Sequence, residues 1–169
     1  MRTIKYIFFT AIFLSAANFA QDSCKTIIEE RSGKPMLVGV CDRSALADTN
    51  FAWWFNSEYE NYSVDTVTLR NIKNEVKDYN LTIVLGTWCG DSRREVPRFY
   101  KILDELDYPE EKIKLIMVDR SKKGIAGEAE GLNVEFVPTF IFYEDGEEAG
   151  RIIESPEETL EKDLQKIVL

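Results

Sequence analysis

Histidine is absent from this 169-residue sequence, and its absence removes most nucleophilic and metal chemistry at once. No Ser-His-Asp or Cys-His pair can form, no imidazole can act as general base, and no His-bearing zinc or haem site can be built. Positive charge is also scarce: 21 Lys and Arg stand against 30 Asp and Glu, a formal net charge of −9. That balance argues against binding to phosphate backbones, so no nucleic-acid partner is expected. Cysteine is limited to three residues, and no internal repeat, low-complexity tract or Gly/Ser linker interrupts the chain. The carboxylate runs Glu144-Asp145, Glu147-Glu148 and Glu157-Glu158 lack the ligand spacing of a calcium loop and read as solvated turns and helix starts. No metal and no cofactor is expected. The chemistry left open is what a cysteine, a carboxylate or a main-chain amide can perform.

Apolar residues make up 44% of the chain and aromatics 12%, enough to bury the core of one domain. The N-terminus carries Arg2 and Lys5, then an apolar run from Tyr6 to Ala17 and small residues to Ala20. A basic start, a short apolar stretch and a small residue before a polar segment make a secretory signal. The run is too short to cross a bilayer comfortably, and an uncleaved anchor is the alternative. With cleavage after Ala20, two basic and no acidic residues leave, and the net charge moves from −9 to −11. An exported protein, periplasmic or extracellular, with no integral membrane segment after cleavage, is expected.

Residues 21–64 form an extension that is irregular in pattern and rich in aromatics, while residues 65–169 alternate between strand and helix signals. Met36–Val40 reads as a short strand after the turn residues Ser32-Gly33-Lys34-Pro35. Asp65–Tyr79 has helical spacing with Asp65 as a cap. Leu81–Leu85 and Ile113–Val118 are continuous apolar runs, the mark of buried strands. Between them Cys89–Leu106 reads as a helix with Val96, Phe99, Leu103 and Leu106 on one face, kinked by Pro97. Gly124–Leu132 reads as a short helix. Thr139–Tyr143 and Ala149–Ile153 make a hairpin about Asp145-Gly146. Ser155 should cap a last helix with Pro156 in its first turn and Leu160, Leu164 and Ile167 buried. This order implies an α/β fold, a central mixed sheet covered by helices. The aromatics Phe51, Trp53, Trp54, Phe55, Tyr59 and Tyr62 read as packing the extension against the sheet, with a ligand groove as the alternative.

The segment Thr87-Trp88-Cys89-Gly90-Asp91-Ser92 carries the chemistry. It lies where a buried strand ends and a helix begins, so Cys89 faces unpaired amides that favour an anion. Arg93 and Arg94 add positive charge, Asp91 opposes it, and Ser92 can turn its hydroxyl or amide toward the sulfur. A small buried hydrophobe is the competing role for such a cysteine.

These residues resemble the active-site region of the thioredoxin family, whose signature Trp-Cys-Gly-Pro-Cys occupies this junction. Pro97, eight residues after Cys89, resembles the family's helix-kinking proline. Val137-Pro138-Thr139 resembles its cis-proline loop, and Asp145-Gly146 its last turn. The resemblance covers residues 65–169 and implies a thioredoxin-like fold. It also implies a thiol–disulfide oxidoreductase acting on protein thiols or disulfides, or on a small thiol. Cys89 would be the nucleophile, with Trp88, Gly90, Val137 and Pro138 at the substrate. The departures are Asp91 for proline, Ser92 for the second cysteine, and Ile83 at the position of the family's buried acid. Ser92 would then serve as a hydrogen-bond donor to the thiolate, in a monothiol enzyme.

Cys24 and Cys41 lie in the extension, and exported thiols tend to pair. A structural disulfide between them is expected, worth about 3 kcal/mol. The alternative is that one of them resolves a bond formed at Cys89. Two rival functions stand beside the oxidoreductase: a binding module that holds an exported client without turnover, and, more distantly, a thiol peroxidase. The sequence assigns no oligomeric state.

Overall fold

The computed structural model describes residues 24–169. The expected signal segment, residues 1–20, lies outside the described residues. Six strands form one sheet: β1 (Lys25–Ile28), β2 (Pro35–Cys41), β3 (Asn80–Leu85), β4 (Ile113–Met117), β5 (Thr139–Glu144) and β6 (Glu147–Ile153), in the order β1-β2-β4-β3-β5-β6. Strands β3 and β4 run parallel, and every other pair is antiparallel. The sheet is therefore mixed, as expected. Among the described residues four α-helices accompany it: α1 (Thr49–Asn61), α2 (Thr66–Arg70), α3 (Gly90–Glu105) and α4 (Leu160–Val168). No helix among the described residues is long and apolar enough to cross a membrane.

Strand β3 is buried over Leu81–Leu85, because its two faces meet two separate apolar clusters. Alternation along a strand sends successive side chains to opposite faces. Ile83 and Leu85 join the larger cluster with Phe99, Leu103, Phe140 and Phe142. Val84 joins a smaller one with Ile116, Val118, Ala129 and Val137, against which Trp88 and Cys89 pack. Helix α3 turns Val96, Phe99 and Leu103 inward, with Pro97 also buried inside it. The β5–β6 hairpin turns at Asp145 and Gly146, both at positive φ (50° and 87°), the geometry that makes Asp-Gly a tight-turn pair.

The extension is more ordered than its pattern implied. The sequence pattern marks only the second strand of the β1–β2 hairpin and does not mark α1. Asp48 caps α1 by accepting from Asn50 N–H, and Phe51, Trp54 and Phe55 are buried at helical spacing. These aromatics pack α1 on α3, with Phe55 and Tyr100 centroids 5.9 Å apart, while Trp53 remains 66% exposed. Strand β2 changes neighbours midway: Pro35–Val38 pair with β1, and Gly39–Cys41 pair with β4. The switch falls at Gly39, whose φ of 100° suits glycine. Since β4 ends at Met117, the β1–β2 hairpin projects past the end of the sheet from which the Trp88–Cys89 loop departs.

Three expectations are corrected. The helix over Asp65–Tyr79 keeps its Asp65 cap, which accepts from Val67 and Thr68, but α2 ends at Arg70 and a short 3₁₀ turn, Glu75–Asp78, follows. Asn71 and Asn74 intervene, and such side chains compete with the helical ladder. Residues 124–132 form turns and bends rather than a helix. Gly127 and Gly131 sit at φ of 82° and 80° there, outside the right-handed helical region. The last helix starts later than Ser155: Thr159 is its cap, accepting from Lys162 N–H, and Asp163 binds the free amides of Glu157 and Glu158. Its buried stripe is Leu160, Leu164 and Val168, with Ile167 only partly covered.

Candidate active site

Strand β3 ends at Leu85, and residues 86–89 turn the chain into α3, for which Cys89 is the N-cap residue with extended backbone (φ −87°, ψ 132°). Cys89 is half-buried and is the free cysteine among the described residues. Its thiol donates to the carbonyl of Val137 at 3.2 Å, and the Val137–Pro138 peptide bond is cis. Two segments 48 positions apart therefore meet at the sulfur. The Cys89 carbonyl accepts from Arg93 N–H, and Gly90 follows with open space where a Cβ would stand.

The turn before Cys89 is braced on several sides. Ser92 is fully buried, and its Oγ accepts from Gly86 N–H at 3.3 Å, so its oxygen secures the strand-to-loop turn while the Cys89 thiol turns to Val137. Thr87 is buried as well and accepts from Leu37 N–H at 3.1 Å, which ties the projecting hairpin to the loop. Arg93 Nε donates to the Thr87 carbonyl at 2.6 Å. The Trp88 indole folds back over Gly86, and an added Cβ on Gly86 would lie 2.5 Å from the ring. Trp88 Nε1 donates to Val118 O at 2.9 Å.

Most of the charge around the site is paired, Arg93 being the exception among the described residues. Asp91, which opposes an anion at this helix start, is matched by Arg94 at 2.7 Å. On the other flank the Arg120 guanidinium stacks over the Trp88 ring at 4.7 Å and bonds Glu29, a buried carboxylate on the loop after β1. That bond, with a second from Ser32, holds the Glu29 carboxyl below the usual range, and it raises Arg120 further above its own. Arg120 also interacts electrostatically with Cys89. Neither Glu29 nor Arg120 is marked by any local motif, because their pairing spans 91 positions.

Cys24 and Cys41, 17 positions apart in the chain, form a disulfide, with Cα atoms 4.7 Å apart. Joined to each other, they leave Cys89 without a resting thiol partner in its own chain among the described residues.

A strand-to-helix cysteine against a cis-proline loop, on a mixed sheet with helices, defines a thioredoxin-type thiol domain. Residues 63–166, more than half of the chain, match the sequence profile of the family described as Thioredoxin, and the chain belongs to that family. It is similar to Thioredoxin H2 of Arabidopsis thaliana, with 28% identity over 97 residues, 56% of this chain and 68% of that protein. A Pseudomonas aeruginosa protein of unknown function superposes with a TM-score of 0.52 at 14% identity, over 75% of this chain and 89% of that one. Mitochondrial thioredoxin 3 of Saccharomyces cerevisiae, in its oxidised form, gives a TM-score of 0.38 at 22% identity, over 59% and 87%.

Proposed function

We propose that this chain is an exported thiol–disulfide oxidoreductase of monothiol type, acting on protein thiols or disulfides or on a small thiol. The observation that carries the reading is the free Cys89 thiol at the start of α3, 3.2 Å from the carbonyl beside cis-Pro138, while Cys24 and Cys41 are tied together. In the reaction Cys89 Sγ, as thiolate, attacks one sulfur of a client disulfide. The client S–S bond breaks, its other sulfur leaves as thiolate, and a mixed disulfide forms at Cys89. Trp88 and Gly90 flank the sulfur, and the Val137–Pro138 segment receives the client main chain. With Ser92 in the second motif position, an external thiol must attack the mixed disulfide to restore Cys89. Residues 1–20 supply the export signal of this reading.

A second reading draws on the same serine. Ser92 is buried and engaged with Gly86, so the motif holds no thiol to release a bound client, as suits a binding module without turnover. Reduction of a model protein disulfide by dithiothreitol separates the two. The natural protein should accelerate it, Cys89→Ser should not, and Ser92→Cys should be faster by about tenfold, since release becomes intramolecular. Equal inertness of the natural protein and Cys89→Ser, with no gain in Ser92→Cys, defeats the oxidoreductase reading in favour of the binding module.

A further inference from the structure

A groove of about 270 Å³ lies between α1 and the first turn of α3, lined by Trp53, Trp54, Glu58, Gly90, Arg93 and Arg94. It adjoins the reactive sulfur through Gly90, the next residue in the chain. Its charges are unequally matched. Glu58 is held by Arg98 at 2.7 Å, and Arg94 is shared between Asp91 and Glu95. Arg93 has no carboxylate partner among the described residues; its Nε is anchored on the Thr87 carbonyl, which leaves the terminal nitrogens of the guanidinium fork free. One cation without an ion-pair partner thus lines a groove beside Cys89, in a neighbourhood where Arg93, Arg94 and Arg98 balance Glu58, Asp91 and Glu95 in number.

Two indoles complete the groove. Trp53 is 66% exposed and held in orientation by its Nε1 bond to Asn50 O at 3.1 Å. Trp54 is buried, and its Nε1 has no acceptor among the described residues. An exposed, oriented indole offers a flat apolar contact with little entropy left to lose. A guanidinium fork beside it matches a carboxylate.

We propose that this groove is a specificity subsite for the polypeptide client of Cys89, and that it takes an acidic side chain flanking the client cysteine. The carboxylate pairs with Arg93, and the side-chain stem or main chain of the flanking residue lies on Trp53. This inference rests on the thiol-exchange reading and names the chemistry of the client that reading leaves open.

The test uses the full mature chain and two short peptides, each bearing one cysteine as a mixed disulfide with a chromophoric aryl thiol. They are identical except for Glu or Gln beside the cysteine. Cys89 attacks the peptide sulfur, the peptide–aryl S–S bond breaks, and the aryl thiolate departs and is read by its colour. At low salt the Glu peptide should react about fivefold faster, the scale of one exposed ion pair. High salt should bring the ratio toward one. Arg93→Gln should abolish it, Arg93→Lys should keep most of it, and Trp53→Ala should slow the Glu peptide. Equal rates for the two peptides in the natural protein, or a ratio untouched by Arg93→Gln, overturns the subsite. A second arm titrates Cys89→Ser protein with the same peptides in reduced form, followed by indole fluorescence. Acid-selective binding there, with no exchange by the natural protein, keeps the groove and defeats the oxidoreductase; exchange without acid selectivity defeats the groove alone.

Discussion

Gly86 is where a single side chain decides the shape of the site. It lies under the Trp88 indole, and a methyl group there would meet Cε2, Nε1 and Cζ2 of the ring at 2.5–2.8 Å. Carbon atoms do not approach that closely, so Gly86→Ala must expel the indole from its place and break the Nε1 bond to Val118 O. Overpacking of this kind costs about 1–3 kcal/mol. The expected outcome is a lower unfolding midpoint together with a changed near-ultraviolet dichroism from Trp88. An unchanged tryptophan signal would show that the ring is not held over Gly86. Ser92 belongs to the same scale. Its identity as the residue replacing a thiol is plain from the motif, but its bond to Gly86 requires the loop to close six residues back.

At the scale of elements, the β1–β2 hairpin is the part that joins the extension to the site. It reaches the reactive loop through Leu37 N–H on Thr87 and through Glu29 on Arg120, and the Cys24–Cys41 disulfide closes its base. Cross-linking residues 17 apart restrains the unfolded chain by about 3 kcal/mol. Replacing both cysteines by alanine should therefore lower the unfolding midpoint by roughly 6–12 °C in a chain of this size. It should also alter the Trp88 environment, because Arg120 stacks on that ring. A midpoint unmoved by the double replacement would mean that pairing with β4, and not the disulfide, holds the hairpin. Elsewhere α1 and α3 are joined by the same logic of paired groups: Arg98 bonds Glu58, and Lys101 donates to the carbonyls of Glu60 and Tyr62.

Over the whole molecule, the carboxylates set how stability depends on pH. Glu29 is held low by Arg120, Glu148 by Arg151 and Glu158 by Lys166, in each case chiefly through a side-chain hydrogen bond. A carboxyl whose folded pKa is depressed adds stability above its unfolded value and loses it as pH falls through the folded one. Glu110 runs the other way, raised by burial, so its protonation favours the folded state slightly. Asp65, Asp104 and Asp107 are held low as well, so six depressed carboxyls stand against it. The unfolding midpoint should be flat near neutrality and fall as pH drops below the ordinary glutamate value of 4.5. A midpoint that rises between about pH 6 and about pH 3 would contradict these pairings.

The amino-acid sequence by itself determined the parts whose signal is local. A continuous apolar run made β3 a buried strand, helical spacing of Val96, Phe99 and Leu103 made α3 amphipathic, and Asp145-Gly146 made the last hairpin. The junction between the first two placed Cys89, and the motif around it with Val137-Pro138 pointed to the family. Where glycines at positive φ or interposed asparagines set the backbone, the helix readings of 124–132 and 65–79 misled, since local composition and spacing do not report dihedral angles. Helix α1 carried the Phe51, Trp54, Phe55 spacing, but a run so rich in aromatics reads as packing against the sheet, with a ligand groove as the alternative, and marks no helix until its cover is known. Only the tertiary structure decided that α3 is that cover, that Trp53 is left exposed, and that Glu29 meets Arg120 across 91 positions. The reason is physical: a side chain's own neighbours along the chain set its local conformation, whereas its partner in a salt bridge, a groove or a core is chosen by the packing of elements that are remote in sequence.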